Sequence, residues 1–510
     1  MKLKVMLVNP PRVNGMPVVR EERFEHKDIG SVYPPLSLLY MASILENNER
    51  CEVKLIDANG FDLSLENVIK EINAYRPDVV ILRCGFDTQK EDIKVLEAAK
   101  SAGAVTVLRN KIIADVPEIR DEVLKTGAVD IFINSEPDAV ISGLMYAIDE
   151  HKDEDPVKNP SDSTGLLNKD GDKDPVKSLS GSTGLSSVKG ISFIRDGEII
   201  TTGFQDNIAD LDCIPFPAYH LLPSLKVYHT GVMQPPFALV STTRGCPYAC
   251  TFCAYGKTKC RERSIESVIN ELKALKQRFN IKSFLFFDDT ISIKGGRVEE
   301  LGKRMIEEGL SGLDWVCCTR ANLVNYDMLK VLKKAGMKEI AIGIETGSEE
   351  ILKNIKKGVP LDSVRQAAKW CHELGIMFYG LAIIGLPGET EDTINETVKF
   401  IKEIDPFYTQ FCFSVPFPNT EMYSYYEENG YLLTKEWDKY FPLSEEPVIR
   451  TEALSAEQLK KLRQKAYMKL LLRPGYLLKK IRPFDWKWNI TGAIKIIRRI
   501  ASVIKGKAVR

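Results

Sequence analysis

Short apolar runs alternate with helical segments over residues 237–422 of this 510-residue chain. The runs have the length of buried strands, and they comprise residues 238–241, 283–287, 315–318, 339–344, 378–384 and 409–415. The segments between them, such as residues 264–279 and 361–374, have helical periodicity. Because parallel strands need long crossovers, this alternation predicts a parallel sheet covered by helices. Six βα units predict a partial (β/α)6 barrel, which we assign to residues 236–430.

The first 150 residues have the same alternation. Five apolar runs are typical of strands, and they comprise residues 4–9, 53–57, 79–82, 105–108 and 131–133. Helical periodicity at residues 36–46 and 65–74 predicts helices between them. The pattern predicts a doubly wound parallel sheet over residues 1–150, and ligands of such sheets bind beyond the carboxyl ends of the strands. We therefore expect the functional edge to include residues 9–11, 83–88 and 110–114.

Two segments break this alternation. Residues 151–188 are rich in Asp, Ser, Gly, Lys and Pro, and residues 153–166 recur with changes as residues 172–185. Two copies are too few for a repeat fold, so we predict a duplicated, mobile linker. Residues 189–235 are interpreted as a bridging segment with a small hairpin that turns at Asp196–Gly197. Residues 431–510 are expected to form a helical C-terminal region.

Three cysteines lie close together after the first predicted barrel strand. Cys246, Cys250 and Cys253 form the pattern C-x3-C-x2-C. A [4Fe–4S] cluster usually takes four Cys ligands, so three would leave one iron open to a small molecule. The alternatives are buried thiols that only pack, and a zinc site closed by Cys260, although no second C-x2-C pair follows. The odd total of eleven cysteines, with no apolar leader at Met1, argues against a disulfide framework.

The residues around these cysteines resemble the radical S-adenosylmethionine (SAM) enzymes. Residues 245–253, with Phe252 just before the last cysteine, are similar to the cluster motif of that family. Residues 286–290 (FFDDT), 342–348 (IGIETGS) and 385–390 (GLPGET) resemble three later motifs in the expected order. Each motif follows a predicted barrel strand, and active sites of parallel barrels lie at the carboxyl ends of their strands.

The resemblance implies that the three cysteines bind a [4Fe–4S] cluster and that SAM binds its open iron. Cleavage of SAM would then give a 5′-deoxyadenosyl radical. The positions that match the family's SAM-binding segments are Phe252, Asp288, Asp289, Arg320, Glu345, Gly385 and Pro387.

Each of these positions has an expected role and an alternative. The resemblance places Asp288 and Asp289 near the SAM amino group, whereas Asp residues in a loop also cap helices. Arg320 could bind the SAM carboxylate in a bidentate manner, and Glu345 could accept the ribose hydroxyl groups or face the sulfonium. Either residue could instead belong to a structural ion pair. The segment from Gly385 to Pro387 allows close backbone approach to adenine, on which Phe252 could stack.

The first domain resembles that of the cobalamin-binding radical SAM subfamily. Residues 9–11 (NPP), 33–40 (YPPLSLLY) and 210–219 (DLDCIPFPAY) resemble its opening and interdomain segments. The sequence departs from that subfamily in lacking Asp-x-His-x-x-Gly. It also has residues 109–112 (RNKI) and 134–137 (NSEP) where glycine-rich stretches are usual. Lys and Ile in place of Gly are expected to crowd the loop that would cover the corrin, so the sequence leaves cobalamin binding open.

Charge is unevenly distributed along a chain whose net charge is zero. Residues 460–510 contain sixteen Lys and Arg and one acidic residue, Asp485. Apolar residues at helical spacing over residues 489–509, preceded by Trp486 and Trp488, predict an amphipathic helix. This helix would lie either on a membrane surface or docked on the acidic body. RNA is not expected as a partner, because no RNA-binding motif accompanies the basic patch.

These features predict a radical SAM enzyme that modifies an unactivated carbon. With cobalamin the reaction would be methyl transfer to a small molecule; without it, hydrogen abstraction would lead to ring closure, rearrangement or carbon–carbon bond formation. A membrane-bound tail would favour a lipid or isoprenoid substrate. The resemblance implies a flavodoxin- or ferredoxin-type reductant, and we expect a cytoplasmic location, peripheral on the membrane if the tail inserts. The alternative from another class is a non-catalytic iron–sulfur scaffold or electron carrier.

Overall fold

The computed structural model describes residues 2–21, 26–27, 31–150 and 184–473. These residues form two compact units. The first contains residues 2–21, 34–150 and 184–223, and the second contains residues 26–27, 31–33 and 224–473. Most of the predicted linker and the basic tail from residue 474 lie outside the described residues, so the predictions made for them stay predictions.

The first unit is built on a seven-stranded sheet. Its strands are β1 (Leu3–Asn9), β2 (Cys51–Asp57), β3 (Val79–Arg83), β4 (Val105–Arg109), β5 (Ile131–Ile133), β6 (Ile191–Arg195) and β7 (Glu198–Thr201). The strand order is β2-β1-β3-β4-β5-β6-β7, and β1 to β5 are mutually parallel. This confirms the predicted doubly wound sheet. The order 2-1-3-4-5 reverses direction beside β1, and sheets of this kind bind ligands at the carboxyl ends near such a reversal.

Among the described residues, six α-helices lie between the strands of this unit. They are α1 (Leu36–Glu46), α2 (Leu65–Tyr75), α3 (Gln89–Ser101), α4 (Lys111–Ala114), α5 (Pro117–Lys125) and α6 (Pro137–Glu150). Side chains cap the N-termini of α2 and α4: the Ser64 hydroxyl accepts from the N–H of Asn67, and the Asn110 side chain accepts from the N–H of Ile113. Such N-caps satisfy amide groups that a helix cannot pair internally.

The predicted hairpin extends this sheet. β6 pairs antiparallel with β5, and β7 pairs antiparallel with β6. Its turn residues, Asp196 and Gly197, have φ of 52° and 81°, which is the backbone of a tight two-residue hairpin turn. Residues expected in a bridging segment therefore cover the edge of β5 that would otherwise present unpaired backbone groups.

The second unit is built on six parallel strands. They are β8 (Phe237–Val240), β9 (Ser283–Phe286), β10 (Asp314–Thr319), β11 (Met337–Glu345), β12 (Met377–Ile384) and β13 (Tyr408–Phe413). The strands are neighbours in sequence order, from β8 to β13. This confirms the predicted partial (β/α)6 barrel. All carboxyl ends of its strands lie at one edge, which brings the motif loops together.

Helices α7 to α14 complete this unit. They are α7 (Ile265–Phe279), α8 (Gly295–Glu307), α9 (Tyr326–Lys334), α10 (Glu349–Asn354), α11 (Leu361–Leu374), α12 (Glu391–Ile404), α13 (Glu421–Glu428) and α14 (Ala456–Leu471). The outer edge of β13 is covered: the N–H of Phe411 donates to the Tyr467 hydroxyl at 2.9 Å, and that of Phe413 donates to the Pro442 carbonyl at 2.8 Å. Within the described residues no helix is long and apolar enough to cross a membrane.

Candidate active site

The loop that carries the three cysteines follows β8 and is closed by hydrogen bonds between Cys246 and Thr258. The N–H of Cys246 donates to the Thr258 hydroxyl at 2.9 Å, and the N–H of Thr258 donates to the Cys246 carbonyl at 2.9 Å. Gly245 has φ of 94°, and a Cβ there would lie 2.5 Å from the Lys259 carbonyl oxygen. The turn into Cys246 therefore requires glycine.

The three cysteines are partly enclosed by the fold. Cys246 and Cys250 are buried, Cys253 is half-buried, and none forms a disulfide. Within the described ranges, no three His, Cys, Asp or Glu side chains form a group that could hold a metal ion. Each Cys of a [4Fe–4S] cluster binds a different iron, so cluster ligands are not gathered around one ion. The assignment of these cysteines to a cluster stays a prediction.

Arg320, at the end of β10, contacts the cysteine loop directly. Its Nη1 lies 3.5 Å from Cys250 Sγ, and its guanidinium carbon lies 3.8 Å from the centre of the Tyr248 ring. Its Nη2 donates to the Lys357 carbonyl. Nε is buried and has no hydrogen-bond partner among the described residues. A guanidinium here stabilises negative charge on sulfur and leaves one N–H for an anionic ligand.

Glu345 ends β11 in a buried ion pair. Lys357 Nζ lies 2.6 Å from Glu345 Oε1, and the two side chains are 8% and 9% exposed. Glu345 has φ of 61°, and the pairing of β11 with β12 shifts register between Gly343 and Glu345. A residue with a long side chain in the left-handed region is strained, and such strain occurs often at functional sites. The ion pair considered for Glu345 is therefore present, and its predicted contact with SAM stays a prediction.

Asp288 follows β9 and accepts hydrogen bonds from the start of the cysteine loop. Its Oδ1 accepts from the N–H of Thr242 at 2.7 Å and from the N–H and hydroxyl of Thr243, while Oδ2 accepts from the Thr242 hydroxyl at 3.0 Å. Asp288 is fully buried. Burial raises the pKa of its carboxyl, opposed by the hydrogen bonds from Thr243 and Thr242. In this structure Asp288 holds the loop, and a contact with SAM stays a prediction.

Its neighbour Asp289 lies nearer the cysteines. Oδ2 of Asp289 accepts from the N–H of Gly245 at 3.2 Å, one residue before Cys246, and the residue is half-buried. The two predicted SAM contacts therefore differ in environment. Asp289 remains the better candidate for a ligand contact.

The loop after β12 is organised by a carboxyl group. Glu389 Oε2 accepts from the N–H of Gly385 at 2.6 Å and from that of Leu386 at 3.2 Å, and the Tyr426 hydroxyl donates to the Gly385 carbonyl. Gly385 has φ of 90°. The Pro387 carbonyl accepts from the Asn354 side chain at 3.3 Å. The predicted adenine contacts at Gly385 and Pro387 thus lie in a rigid turn that Glu389 fixes.

Glu389 is expected to make the stability of the fold depend on pH. Burial raises the pKa of its carboxyl from 4.5 to about 8, although the N–H groups of Gly385 and Leu386 oppose the shift. The folded chain thus keeps a proton that the unfolded chain releases, so this group's contribution is complete below pH 4.5 and is lost as pH rises through about 8. Glu389→Gln should remove this dependence, which is at most about 1.4 kcal/mol per pH unit.

Urea denaturation of wild type and Glu389→Gln from pH 5 to pH 9 measures this effect. Glu391→Gln is the matched control, since Glu391 is exposed and pairs with Lys465 at 2.9 Å on the surface. Parallel stability curves for wild type and Glu389→Gln would contradict the prediction.

The remaining predicted residues are distributed around the loop. Phe252 is half-buried, and its ring centre lies 5.9 Å from Lys357 Nζ. Burial and Glu262 raise the pKa of the Cys260 thiol to about 11. Lys357 and Glu389 were missed as site residues. Glu389 stands within the recognised GLPGET segment, but no sequence pattern links Lys357 to Glu345.

Polar side chains also fill the carboxyl edge of the sheet in the first unit. The Arg20 guanidinium binds the Asp92 carboxylate at 2.7 and 2.8 Å and donates to the Pro10 and Pro11 carbonyls. The Asn110 side chain donates to the Cys84 carbonyl at 2.9 Å. The predicted functional edge is therefore cross-linked between the ends of β1, β3 and β4.

The loop after β4, where the subfamily usually has glycine, is the short helix α4. Ile112 is buried, and Lys111 pairs with Asp115 at 2.6 Å. The Ile side chain is thus packed rather than exposed, and the Lys ammonium is held on the helix by an i,i+4 pair.

The model of the radical SAM superfamily matches residues 240–401, which contain the cysteine loop and every predicted SAM contact. An uncharacterized methyltransferase, PH0819, of Pyrococcus horikoshii is 30% identical over 503 residues, covering 97% of this chain and 98% of the relative. An anaerobic magnesium-protoporphyrin IX monomethyl ester cyclase of Rubrivivax gelatinosus is 23% identical, covering 88% of this chain and 76% of the relative.

The solved structures that resemble the chain include two radical SAM enzymes. The cobalamin-dependent SAM radical enzyme OxsB, with aqua-cobalamin and SAM bound, has a TM-score of 0.70 at 16% identity and covers 98% of this chain and 72% of that chain. The radical SAM methyltransferase TsrM of Kitasatospora setae, with cobalamin and a [4Fe–4S] cluster bound, has a TM-score of 0.62 at 16% identity. The match covers 84% of this chain and 75% of that chain. At this identity the likeness concerns the fold.

Proposed function

This chain belongs to the radical SAM superfamily, and on that premise we propose that it is a cobalamin-dependent methyltransferase acting on an unactivated carbon of a small molecule. The family uses a [4Fe–4S] cluster and SAM. The methyltransferase of P. horikoshii, aligned over nearly all of both chains, supports the reaction type. Because the chain belongs to an enzyme family, we set aside the hypothesis of a non-catalytic scaffold or electron carrier.

The observation that carries the proposal is the pairing of two parallel sheets in one chain. The radical SAM sheet is preceded by a sheet of order 2-1-3-4-5. A SAM-cleaving barrel alone has no need of a second ligand-binding sheet. The fold likeness to two proteins described with cobalamin bound favours cobalamin as the ligand of that sheet. Of the two reactions that the sequence left open, methyl transfer with cobalamin is therefore favoured over ring closure or rearrangement without it.

The residues of the second unit fit a cluster and SAM. Three cysteines that form no disulfide lie in one loop that is held at both ends by hydrogen bonds. The unpartnered Nε of Arg320, buried beside Cys250, suits a carboxylate. Gly385 provides backbone without a side chain in a turn that Glu389 fixes. Cys246, Cys250 and Cys253 would hold the cluster, while Arg320, Glu345 and Asp289 would hold SAM.

The residues of the first unit fit cobalamin in fold and in edge chemistry. The buried side chains of Arg20 and Asn110 donate to backbone carbonyls just after β1 and β3, at the edge where ligands of such sheets bind. The sequence places no His in residues 9–14, 83–88, 109–116 or 133–137. These loops would therefore hold the cofactor through residues other than histidine.

When bound, the cluster supplies the electron that cleaves SAM, and cobalamin carries the methyl group. The chain itself supplies position and charge. Arg320 neutralises negative charge next to Cys250, and Asp288 fixes the start of the loop that presents the cysteines. The buried setting of Arg320 and Glu345 strengthens their interactions with a charged ligand, because water is excluded.

Cobalamin retention and product analysis test this function. After anaerobic reconstitution with iron, sulfide and hydroxocobalamin, we expect the purified protein to retain the cobalamin visible spectrum. With SAM and dithionite it should form S-adenosylhomocysteine, and a sample prepared without cobalamin should not. Failure both to retain cobalamin and to form S-adenosylhomocysteine would contradict the methyltransferase proposal and leave 5′-deoxyadenosine-forming chemistry.

A second candidate is radical-mediated ring closure. It draws support from the cyclase relative, which aligns with 88% of this chain. Formation of 5′-deoxyadenosine without S-adenosylhomocysteine would favour it. A lipid or isoprenoid substrate, a flavodoxin- or ferredoxin-type reductant and a peripheral membrane location are further proposals. The membrane proposal depends on the tail, which liposome co-sedimentation of the full chain and of a chain ending at residue 473 would test.

A further inference from the structure

Lys357 is a buried cation for which the family motifs assign no role. It lies in the loop after α10, and its side chain is 8% exposed. Its single ionic partner in the described part of the chain is Glu345, with Nζ 2.6 Å from Oε1. Removing one member of a buried ion pair leaves a charge without compensation, so such pairs are kept together. The two side chains therefore act as one unit.

The backbone is shaped to admit this pair. A Cβ on Gly343 would lie 2.2 Å from Glu345 Oε1 and 2.7 Å from Lys357 Nζ. Glu345 itself has φ of 61°, at a register shift between β11 and β12. The absence of a side chain at Gly343 and the left-handed backbone of Glu345 together leave room for the carboxylate and the ammonium directly over the strand. Both features are costly for a strand, and a surface ion pair would need neither.

The pair is connected to the cysteine loop at two points. The Lys357 carbonyl accepts from Arg320, whose Nη1 lies 3.5 Å from Cys250 Sγ. Lys357 Nζ lies 5.9 Å from the ring centre of Phe252, the residue before Cys253. Lys357 thus joins the predicted SAM contacts Arg320, Glu345 and Phe252 into one cluster of side chains.

One carboxylate oxygen of Glu345 is left for a ligand. Oε1 is taken by Lys357, and Oε2 has no partner among the residues described. A carboxylate oxygen accepts hydrogen bonds and donates none when ionised, so its natural ligands are hydroxyl or ammonium groups. Because Lys357 offsets part of its charge, a neutral hydroxyl is the better match than the sulfonium.

We propose that Lys357 is a positioning residue of the SAM site: its ammonium group fixes the Glu345 carboxylate so that Oε2 accepts from the ribose hydroxyl groups. The proposal rests on the SAM site of the proposed function, but it involves neither cobalamin nor methyl transfer. The role of Lys357 and the proposed methyltransferase function can therefore be disproved independently of each other.

Binding of two fragments of SAM distinguishes a role of Lys357 at the ribose from a role at the methionine part and from a purely structural role. 5′-Deoxyadenosine contains the ribose without the methionine, and methionine contains the amino acid without the ribose. Their dissociation constants are measured by equilibrium dialysis with cluster-loaded protein. Lys357→Met should weaken 5′-deoxyadenosine binding by about tenfold, the loss of one well-oriented hydrogen bond, and change methionine binding less than about twofold. Lys357→Arg, which keeps the charge, should restore most of the loss.

The neighbouring lysine provides a matched control. Lys356 pairs with Glu421 at 2.6 Å, and both side chains are exposed, so Lys356→Met should leave both dissociation constants unchanged. If Lys357→Met does not load a cluster, Gly343→Ala tests the same point, since its methyl group displaces the pair without removing a charge. Glu345→Gln/Lys357→Met removes both charges and should bind 5′-deoxyadenosine as weakly as Glu345→Gln alone.

Three outcomes would overturn the proposal. Loss of methionine binding alone in Lys357→Met would mean that Lys357 contacts the SAM carboxylate directly. Equal loss for both fragments would mean a structural role. Unchanged binding of both fragments would mean no role in the site. Absence of bound cobalamin or of methyl transfer would leave the proposal intact and affect only the proposed function.

Discussion

A Cys250→Ala variant is expected to lose its iron–sulfur cluster and to cleave SAM at least about a thousandfold more slowly than wild type. Cys250 is the cysteine that Arg320 contacts, at 3.5 Å, and the loop around it is held by hydrogen bonds to other segments. The N–H of Thr251 donates to the Ile355 carbonyl at 3.0 Å, for example. Removing the sulfur therefore removes a ligand without removing the loop.

Iron and sulfide content, the electron paramagnetic resonance signal of the reduced protein and the yield of 5′-deoxyadenosine measure this effect. Cys260→Ala is the matched control. Cys260 lies seven residues beyond Cys253, and burial raises the pKa of its thiol to about 11, which disfavours the thiolate that binds metal. The Cys260→Ala variant should therefore retain the iron content and the SAM cleavage rate of wild type.

The two variants also decide the ligand set. A Cys250→Ala protein that still holds a cluster and cleaves SAM would contradict the assignment of the three cysteines. Loss of iron in Cys260→Ala would make Cys260 a fourth ligand, and no iron would then remain open for SAM.

Asp288→Ala should destabilise the chain by about 3–5 kcal/mol, because it leaves buried donors without an acceptor. Asp288 is fully buried and accepts from the N–H and hydroxyl groups of both Thr242 and Thr243. These residues begin the loop that leads to Cys246. Cluster content should therefore fall together with stability.

Asp289→Ala is the informative comparison, because the two residues are adjacent and were both predicted to contact SAM. Asp289 is half-buried and accepts from the Gly245 N–H at 3.2 Å. We expect its replacement to change the free energy of unfolding by less than about 1 kcal/mol and to weaken SAM binding. Urea denaturation of the unloaded protein and equilibrium dialysis with SAM measure the two effects.

An Asp288→Ala protein as stable as wild type, with SAM binding selectively reduced, would reinstate Asp288 as a ligand contact. Asp288→Asn sharpens the test, since it keeps an oxygen for the two N–H groups. It should therefore recover part of the lost stability.

The strands of both sheets were predictable because their signal is local. β11 and β12 lie within two residues of the predicted runs at each end, and α1 spans the predicted residues 36–46. Buried parallel strands are nearly continuous apolar runs, and the helices between them repeat every 3.6 residues. The hairpin of β6 and β7 was also predicted, but not its sheet, because pairing with β5 joins residues about 60 positions apart.

Within the site, the sequence indicated positions and the structure indicated partners. Glu345 was expected to contact SAM or to form an ion pair, and the pair with Lys357 depends on a loop twelve residues further along the chain. Asp288 and Asp289 look alike in sequence, yet one is fully buried and the other half-buried. Side-chain environment depends on which strands are neighbours, and no local pattern encodes that.

The sequence by itself determined the two βα sheets, the cysteine motif and the superfamily, because each is written in short segments whose chemistry does not depend on distant residues. Only the tertiary structure decided which polar side chains hold the loop and which are paired with each other. Asp288 lies under Thr242 and Thr243, and Lys357 lies beside Glu345, because parallel strands bring their carboxyl ends to one edge. At that edge, burial and hydrogen bonding give chemically similar residues different roles.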